Sequence, residues 1–335
     1  MNIALLFGGR GAEHAVSVRS AAAVLPRLLA LGHCVTPVGV ARTGALFRYV
    51  GDADALSEDF PAHGVPLSLR LTGETLLFET ADGAHFTPSL VFSVLHGKDG
   101  EDGVFQGVLS LGNIPFIGSG VCASAITMNK RIAKTLVRAA GIPTLPDVTA
   151  RAADEVLTTR VSEALTYPVF VKPTSGGSSI GVSRVASEEE LLPAVRRALA
   201  ECDEALVEEA VEGTELEVAV LAHGDTLLLS PPGEIQTAGG FYDYDTKYTS
   251  GGARITLPAP LSPWETAYVK QLAATAFRTL GCRDYARVDF LRRRDGRVFF
   301  NEINTLPGFT EDSLFPRLFA LLGVDPLLFL TEGRA

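Results

Sequence analysis

The stretch from Arg287 to Leu314, RVDFLRRRDGRVFFNEINTLPGFTEDSL, limits what this chain can be more than any other. It reads as a β-hairpin. Val288 to Leu291 form a short apolar strand, Asp295-Gly296 signals a turn, and Arg297 to Ile303 form the returning strand. Side chains alternate faces along a strand, so Glu302 and Asn304 share one face, and Asp289 joins them when paired across the hairpin. Two carboxylates and an amide oxygen, flanked by Arg287, are hard donors suited to Mg²⁺ or Mn²⁺ and to the phosphates such ions accompany. The same acids would also suit a solvated hairpin face. The Gly/Pro loop Leu306-Pro307-Gly308-Phe309-Thr310, entered directly from them, favours the ligand reading.

Composition narrows the class. A chain of 335 residues has material for two or three domains. Its net charge of −10 argues against a nucleic-acid surface. No segment has the length or apolarity of a membrane span, and no secretory leader is visible, so a cytoplasmic protein is expected. Cys34, Cys122, Cys202 and Cys282 are far apart and fit reduced, mostly buried thiols. Lysine is scarce, six against twenty-three arginines. Lys98, Lys130, Lys172 and Lys247 sit beside glycine, proline or polar clusters, whereas Lys134 and Lys270 read as helix-surface residues.

Along the chain, Asn2 to Phe7 is an apolar strand ending in Gly8-Gly9-Arg10-Gly11. Glu13-His14 and a helix from Val16 to Leu31 follow, the opening of a doubly wound α/β unit. Residues 43 to 88 read as irregular and β-rich. Leu90 to Leu95 is a buried strand that enters HGKDGEDG, from His96 to Gly103, before a helix from Val104 to Leu111. A helix is expected to run through Met128-Asn129-Lys130 to Ala140. Val169 to Pro173 is a strand with Lys172 at its end. Thr174 to Val182 is a Gly/Ser loop without the Walker A pattern, yet its amides and hydroxyls can cover phosphates beside a lysine. A strand from Ala205 to Glu208 precedes Glu209-Ala210-Val211. Residues 236–253, QTAGGFYDYDTKYTSGGA, form a long glycine-flanked loop, which reads as a lid carrying Lys247-Tyr248. Leu318 to Leu330 reads as a docking C-terminal helix.

Eight segments in this order, GGRGAEHAVS, HGKDGEDG, GSG with MNK, VKPTSGGSSIGV, VEEAVEGTE, FYDYDTKY, RVDF and NEINTLPGFTEDSL, make the chain resemble the D-alanine–D-alanine ligases of the ATP-grasp superfamily over its whole length. The resemblance implies a three-domain α/β ATP-grasp fold: a Rossmann-like substrate domain over 1–122, a central subdomain over 123–213 with the Gly/Ser phosphate loop, and a C-terminal subdomain over 214–335 with the lid and metal site. It implies ATP as co-substrate, two Mg²⁺ or Mn²⁺ ions, and a homodimer.

Residue by residue, Glu13 resembles the acid that holds the ammonium of the first D-alanine, connected to Ser178 and Tyr248. His96 resembles the histidine near that substrate's carboxylate. Lys130 and Lys172 match lysines on the ATP phosphates, and Lys247 the one on the lid. Glu208, Glu209, Val211 and Glu215 fall where adenine and ribose bind; the acid pair Glu208-Glu209 puts an acid where relatives can carry lysine, so adenine contact there can rest on backbone. Asp289, Glu302 and Asn304 match the ligands of the two metals, Glu302 bridging. Arg287 and the Gly308 amide match the oxyanion-stabilising pair, and Ser313 and Leu314 the positions that hold the second D-alanine's carboxylate. The implied product is D-alanyl-D-alanine, formed through a D-alanyl phosphate for peptidoglycan precursors. Alternatives are a ligase joining D-alanine to D-lactate or D-serine, which Tyr248 disfavours, and an ATP-grasp-like binding protein, which the full set of ligands disfavours. A Rossmann oxidoreductase lacks its G-x-G-x-x-G fingerprint.

Overall fold

The computed structural model describes residues 1–237 and 253–332. Three sheets organise it. In the first, the strand Asn2–Gly8, buried from Ile3 onward, runs parallel to both Cys34–Val40 and Leu90–Ser93, and the latter runs parallel to Phe116–Ile117. Parallel neighbours require a crossover, and the helix His14–Ala30 supplies it between the first two strands. Residues 43–88 are not irregular. They extend the sheet antiparallel through Leu46–Tyr49, Gly64–Thr72, Thr75–Thr80 and His85–Phe86. Gly73, with φ of +61°, turns one of these hairpins.

The second sheet is antiparallel, in the order Ser183–Val185, Val169–Pro173, Ala205–Glu209, Asp147–Ala150. Helices Glu155–Ala164 and Leu191–Leu199 cover it with Leu157, Val161, Leu191 and Val195. The third sheet centres on the long strand Gly213–His223, paired with Tyr285–Arg293, which pairs in turn with Val298–Asn304. Helix Pro263–Thr279, opened by a Ser262/Glu265 capping box, packs on this sheet. So do Ala133 and Val137 of helix Lys130–Ala139.

The helix expected through Met128 to Ala140 is two helices, Val121–Met128 and Lys130–Ala139. Asn129 leaves the helical conformation and caps the second, accepting from the Ile132 amide at 3.0 Å. The break lets the Lys130 amide donate to the Thr174 carbonyl at 2.7 Å, which ties this helix to the root of the Gly/Ser loop. The C-terminal helix is likewise two, Leu314–Ala320 and Pro326–Thr331. Gly323 turns the chain between them, and Asp325 caps the second from just before Pro326.

First and third sheets share one core. Phe92 meets Tyr285 and Phe309, Phe309 meets Phe315, and Leu318 and Leu327 pack into the same cluster as Ile3, Leu5 and Phe7. Stacked, edge-on and tilted aromatic pairs of this kind each contribute about 0.5–1.5 kcal/mol beyond the area they bury. Beside them the Gly118 amide donates to Asp284 Oδ2 and Arg283 Nε donates to the Gly118 carbonyl, both at 2.7 Å. The cysteines are free, but Cys34 and Cys122 are exposed rather than buried. Among the described residues no helix is long and apolar enough to cross a membrane.

Candidate active site

The hairpin is as its alternation predicts. Asp289 lies directly opposite Glu302, and Arg287 opposite Asn304. A register shift just after Asp289 separates this polar end from the apolar pairs Phe290–Phe300 and Leu291–Phe299. Arg287 clasps Asp289 with two hydrogen bonds at 2.8 and 2.7 Å and lies 3.0 Å from Glu217. Burial works against the Arg287 charge, but Asp289 and Glu217 outweigh it and hold the guanidinium well above its ordinary value. Asn304 Oδ1 accepts from the Leu306 amide, so it also fixes the start of the Gly/Pro loop.

A cleft with about 1080 Å³ of empty space, open to solvent, lies between the second and third sheets. Its walls bring together Lys130, Lys172, Ser178, Glu209, Val211, Glu215, Asp289 and Glu302. Lys130 Nζ donates to the Gly176 carbonyl at 2.7 Å and stands 3.2 Å from Glu302. Ser178 and Ser179 adopt left-handed φ values of 52° and 58°, an unusual conformation for residues with a Cβ. That turn sends Ser178 Oγ to Glu13 Oε1 at 2.6 Å, joining the Gly/Ser loop to the first sheet. Gly97 is needed beside this contact: its φ is +71°, and a Cβ there would fall 2.1 Å from Glu13 Oε2.

His96 is buried, its Nε2 2.9 Å from Ser20 Oγ, and burial lowers its pKa. Gly308 sits against Ser313, whose Oγ would be 2.6 Å from an added Cβ. Ser313 Oγ also accepts from the Thr310 amide at 3.1 Å, and Leu314 begins the next helix. Glu208 is not among the residues lining the cleft. Its carboxylate is buried between Lys134 and Lys172. Lys247 and Tyr248, with most of the loop 236–253, lie outside the described residues.

The donor set fits a hard divalent cation. Asp289 and Glu302, cross-strand partners, line the cleft with two lysines, and Asn304, two residues after Glu302 on its strand, adds an amide oxygen on the same face although it is not among the lining residues. Arg287 and Lys130 supply countercharge to the acids.

Sequence reasoning missed two residues. Lys134 reads as a helix-surface residue, yet it is 2% exposed. Its spacing four after Lys130, on one helix face, was the available signal. Glu101, inside HGKDGEDG, is also mostly buried in polar company, its side chain 12% exposed. Gly97 N donates to its Oε2 at 3.0 Å, and its Oε1 is 4.0 Å from His96 Nδ1.

Comparison with known proteins covers both ends of the molecule. A family model described as D-ala D-ala ligase N-terminus matches residues 2–119, and one described as D-ala D-ala ligase C-terminus matches 136–331. A D-alanine–D-alanine ligase of Chlorobium phaeovibrioides is 40% identical over 97% of this chain and 93% of its own length. One from Mycobacterium tuberculosis is 40% identical over 99% and 94%. Among solved structures, the VanG D-Ala:D-Ser ligase of Enterococcus faecalis aligns with a TM-score of 0.88 at 33% identity, over 98% of this chain and 96% of that one. The D-alanine-D-alanine ligase of Coxiella burnetii aligns with a TM-score of 0.83 at 30% identity, over 98% and 91%.

Glu101 generates a prediction about pH. Burial, then the charge of Glu13, raise its carboxyl from an ordinary 4.5 to about 8. Between those values the native chain holds a proton that the unfolded chain has lost. The stability this contributes is full below the unfolded pKa and disappears as pH rises through the folded one. Glu101→Gln cannot ionise, so its melting temperature should gain on the parent's as pH rises from 5 to 9. A constant difference across that range would show that Glu101 carries no such shift.

Proposed function

The chain belongs to the D-alanine–D-alanine ligase family, and on that premise we propose that it joins two D-alanines to D-alanyl-D-alanine at the expense of ATP, for peptidoglycan precursor synthesis. The observation that carries this reading is the cleft itself: acids from the hairpin and lysines from two other elements converge where a triphosphate needs metal and cationic partners.

In this reading Glu13, held by Ser178, takes the ammonium of the first D-alanine, and His96 lies near its carboxylate. Lys130 and Lys172 hold the phosphates under the loop 174–182. Glu209, Val211 and Glu215 take adenine and ribose, with Glu208 contributing backbone. Lys247 is assigned to the phosphates and Tyr248 to the Glu13–Ser178 network, both from sequence alone. The substrate carboxylate attacks the terminal phosphorus and ADP leaves, giving D-alanyl phosphate. The amine of the second D-alanine, its carboxylate held at Ser313 and Leu314, then attacks the acyl carbon. Arg287 and the Gly308 amide stabilise the oxyanion, and its collapse expels phosphate. Asp289, Glu302 and Asn304 would hold the two Mg²⁺ or Mn²⁺ ions, which would supply neutralising charge for the transferring phosphoryl group.

We also propose a cytoplasmic homodimer. Helix Val104–Leu111 leaves Val104 51% and Leu111 67% exposed, with Val121 beside it 43% exposed, an apolar face that a second copy would cover.

Three measurements test these statements. With ATP and Mg²⁺, D-alanine should give D-alanyl-D-alanine with matching ADP and phosphate, and L-alanine nothing. A product made only with D-lactate or D-serine present would move the second-substrate assignment. Glu302→Gln should lower turnover on the order of a thousandfold in a folded protein, and near-parental activity would remove Glu302 from the metal site. Sedimentation equilibrium should give twice the chain mass, and a monomer at all micromolar concentrations would dispose of the dimer.

A further inference from the structure

We infer that Lys134 is a positioning residue for Lys172: by occupying one oxygen of the buried Glu208 carboxylate, it leaves the Lys172 charge uncancelled at the floor of the cleft. This rests on the reading of Lys172 as a phosphate-binding lysine.

The three groups come from separate elements. Lys134 projects from helix Lys130–Ala139, whose apolar residues Ala133 and Val137 pack on the third sheet. Glu208 and Lys172 stand on adjacent strands of the second sheet, Ala205–Glu209 and Val169–Pro173. Lys134 Nζ contacts Glu208 Oε1, and Lys172 Nζ lies 2.8 Å from Oε2. Lys172 Nζ also donates to Asn301 Oδ1 at 3.3 Å, next to Glu302 on the hairpin. One connected set of polar contacts thus runs from the helix through the second sheet to the metal-binding hairpin.

Charge counting decides what Lys134 does there. Lys134 and Glu208 are 2% and 1% exposed at the side chain, and Lys172 is 12% exposed. Lys172 lines the cleft; Lys134 and Glu208 are not among its lining residues. Burial alone would raise the Glu208 pKa, but the two ammoniums bring it down to about 2; burial lowers the Lys134 pKa, and the Glu208 charge beside it pulls the other way. With Lys134 the triad carries one net positive charge. Without it, Glu208 and Lys172 cancel in a poorly solvated site, and that pair presents no net charge to an incoming polyphosphate. A buried ion pair is weak support for stability, since an apolar residue of similar size often serves as well. The triad's excess charge, directed at the cleft, gives this lysine a role that packing alone does not.

The test uses the full chain and reads nucleotide affinity by calorimetry with a non-hydrolysable ATP analogue and Mg²⁺, alongside steady-state kinetics. Lys134→Met should weaken analogue binding and raise the KM for ATP about tenfold, a loss of one favourable charge, with the KM values for D-alanine unchanged. Lys134→Arg should restore most of the affinity. The double variant Lys134→Met/Glu208→Gln, which removes both charges and again leaves one net positive charge on Lys172, should bind the analogue more tightly than Lys134→Met. Parental affinity in folded Lys134→Met would overturn the inference. So would a double variant no better than the single one, because a packing role is not rescued by a second loss. If Lys134→Met does not fold, Lys134→Arg and the double variant carry the decision, and a double variant bound more than tenfold weaker than the parent overturns it. A parent chain that binds the analogue yet makes no D-alanyl-D-alanine would refute the proposed reaction and leave this inference standing on the affinities.

Discussion

Two carboxylates set opposite each other across an antiparallel pair repel, and the site is arranged around that repulsion. Asp289 and Glu302 are direct cross-strand partners, a placement that destabilises a sheet unless something offsets it. Arg287 does so for Asp289 through a two-pronged contact on the same strand, and Lys130 does so for Glu302 from a helix of another part of the chain. The hairpin therefore cannot hold its polar end alone. It needs the helix that begins at Lys130, and that helix begins there because Asn129 leaves the helical conformation to cap it.

The same dependence runs outward. Lys130 is anchored at both ends of its own backbone and side chain, its amide on Thr174 and its ammonium on the Gly176 carbonyl. The Gly/Ser loop is thus pinned at its root while its turn, at Ser178 and Ser179, reaches across to Glu13 on the first sheet. Three sheets with largely separate apolar cores meet at contacts that are mostly polar. The exception is the aromatic group of Phe92, Tyr285, Phe309 and Phe315, which makes the first and third sheets share one core.

Much of this was legible in the sequence, and the reasons differ by residue. The hairpin was readable because period-two alternation and an Asp-Gly turn are local signals, and they place Asp289, Glu302 and Asn304 without knowledge of any other element. Glu13 meeting Ser178 was implied only through family resemblance, since nothing local connects residues so distant in sequence. Lys134 was misread. Helical periodicity places it on a face, but not that a strand of another sheet covers that face with Glu208. The break at Asn129 was missed for a related reason: a polar residue inside a helical pattern reads as surface until a neighbouring chain, here Thr174 and Ser175, offers its backbone a better partner. From 46 to 86 the sequence reads as β-rich without separating the strands, because they are largely half-exposed and turn residues dilute their alternation.

What the misread residues share is that their surroundings are assembled from elements far apart in the chain. Glu208 is informative here. On its strand it alternates inward, where an acid is costly, and its burial is tolerated because Lys172 from the neighbouring strand and Lys134 from a helix of the adjoining core arrive together. A buried charge of this kind is satisfied only when both sheets are in their native relation. Loss of either lysine's element would expose the other two groups to unbalanced burial, so the triad ties formation of the cleft to the docking of the parts that bound it. The acids at the hairpin obey the same rule with signs reversed: each is acceptable only where another element delivers its counterion. The cleft is where these requirements coincide, which is why its charged residues are drawn from the second sheet, the third sheet and the helix between them rather than from any one.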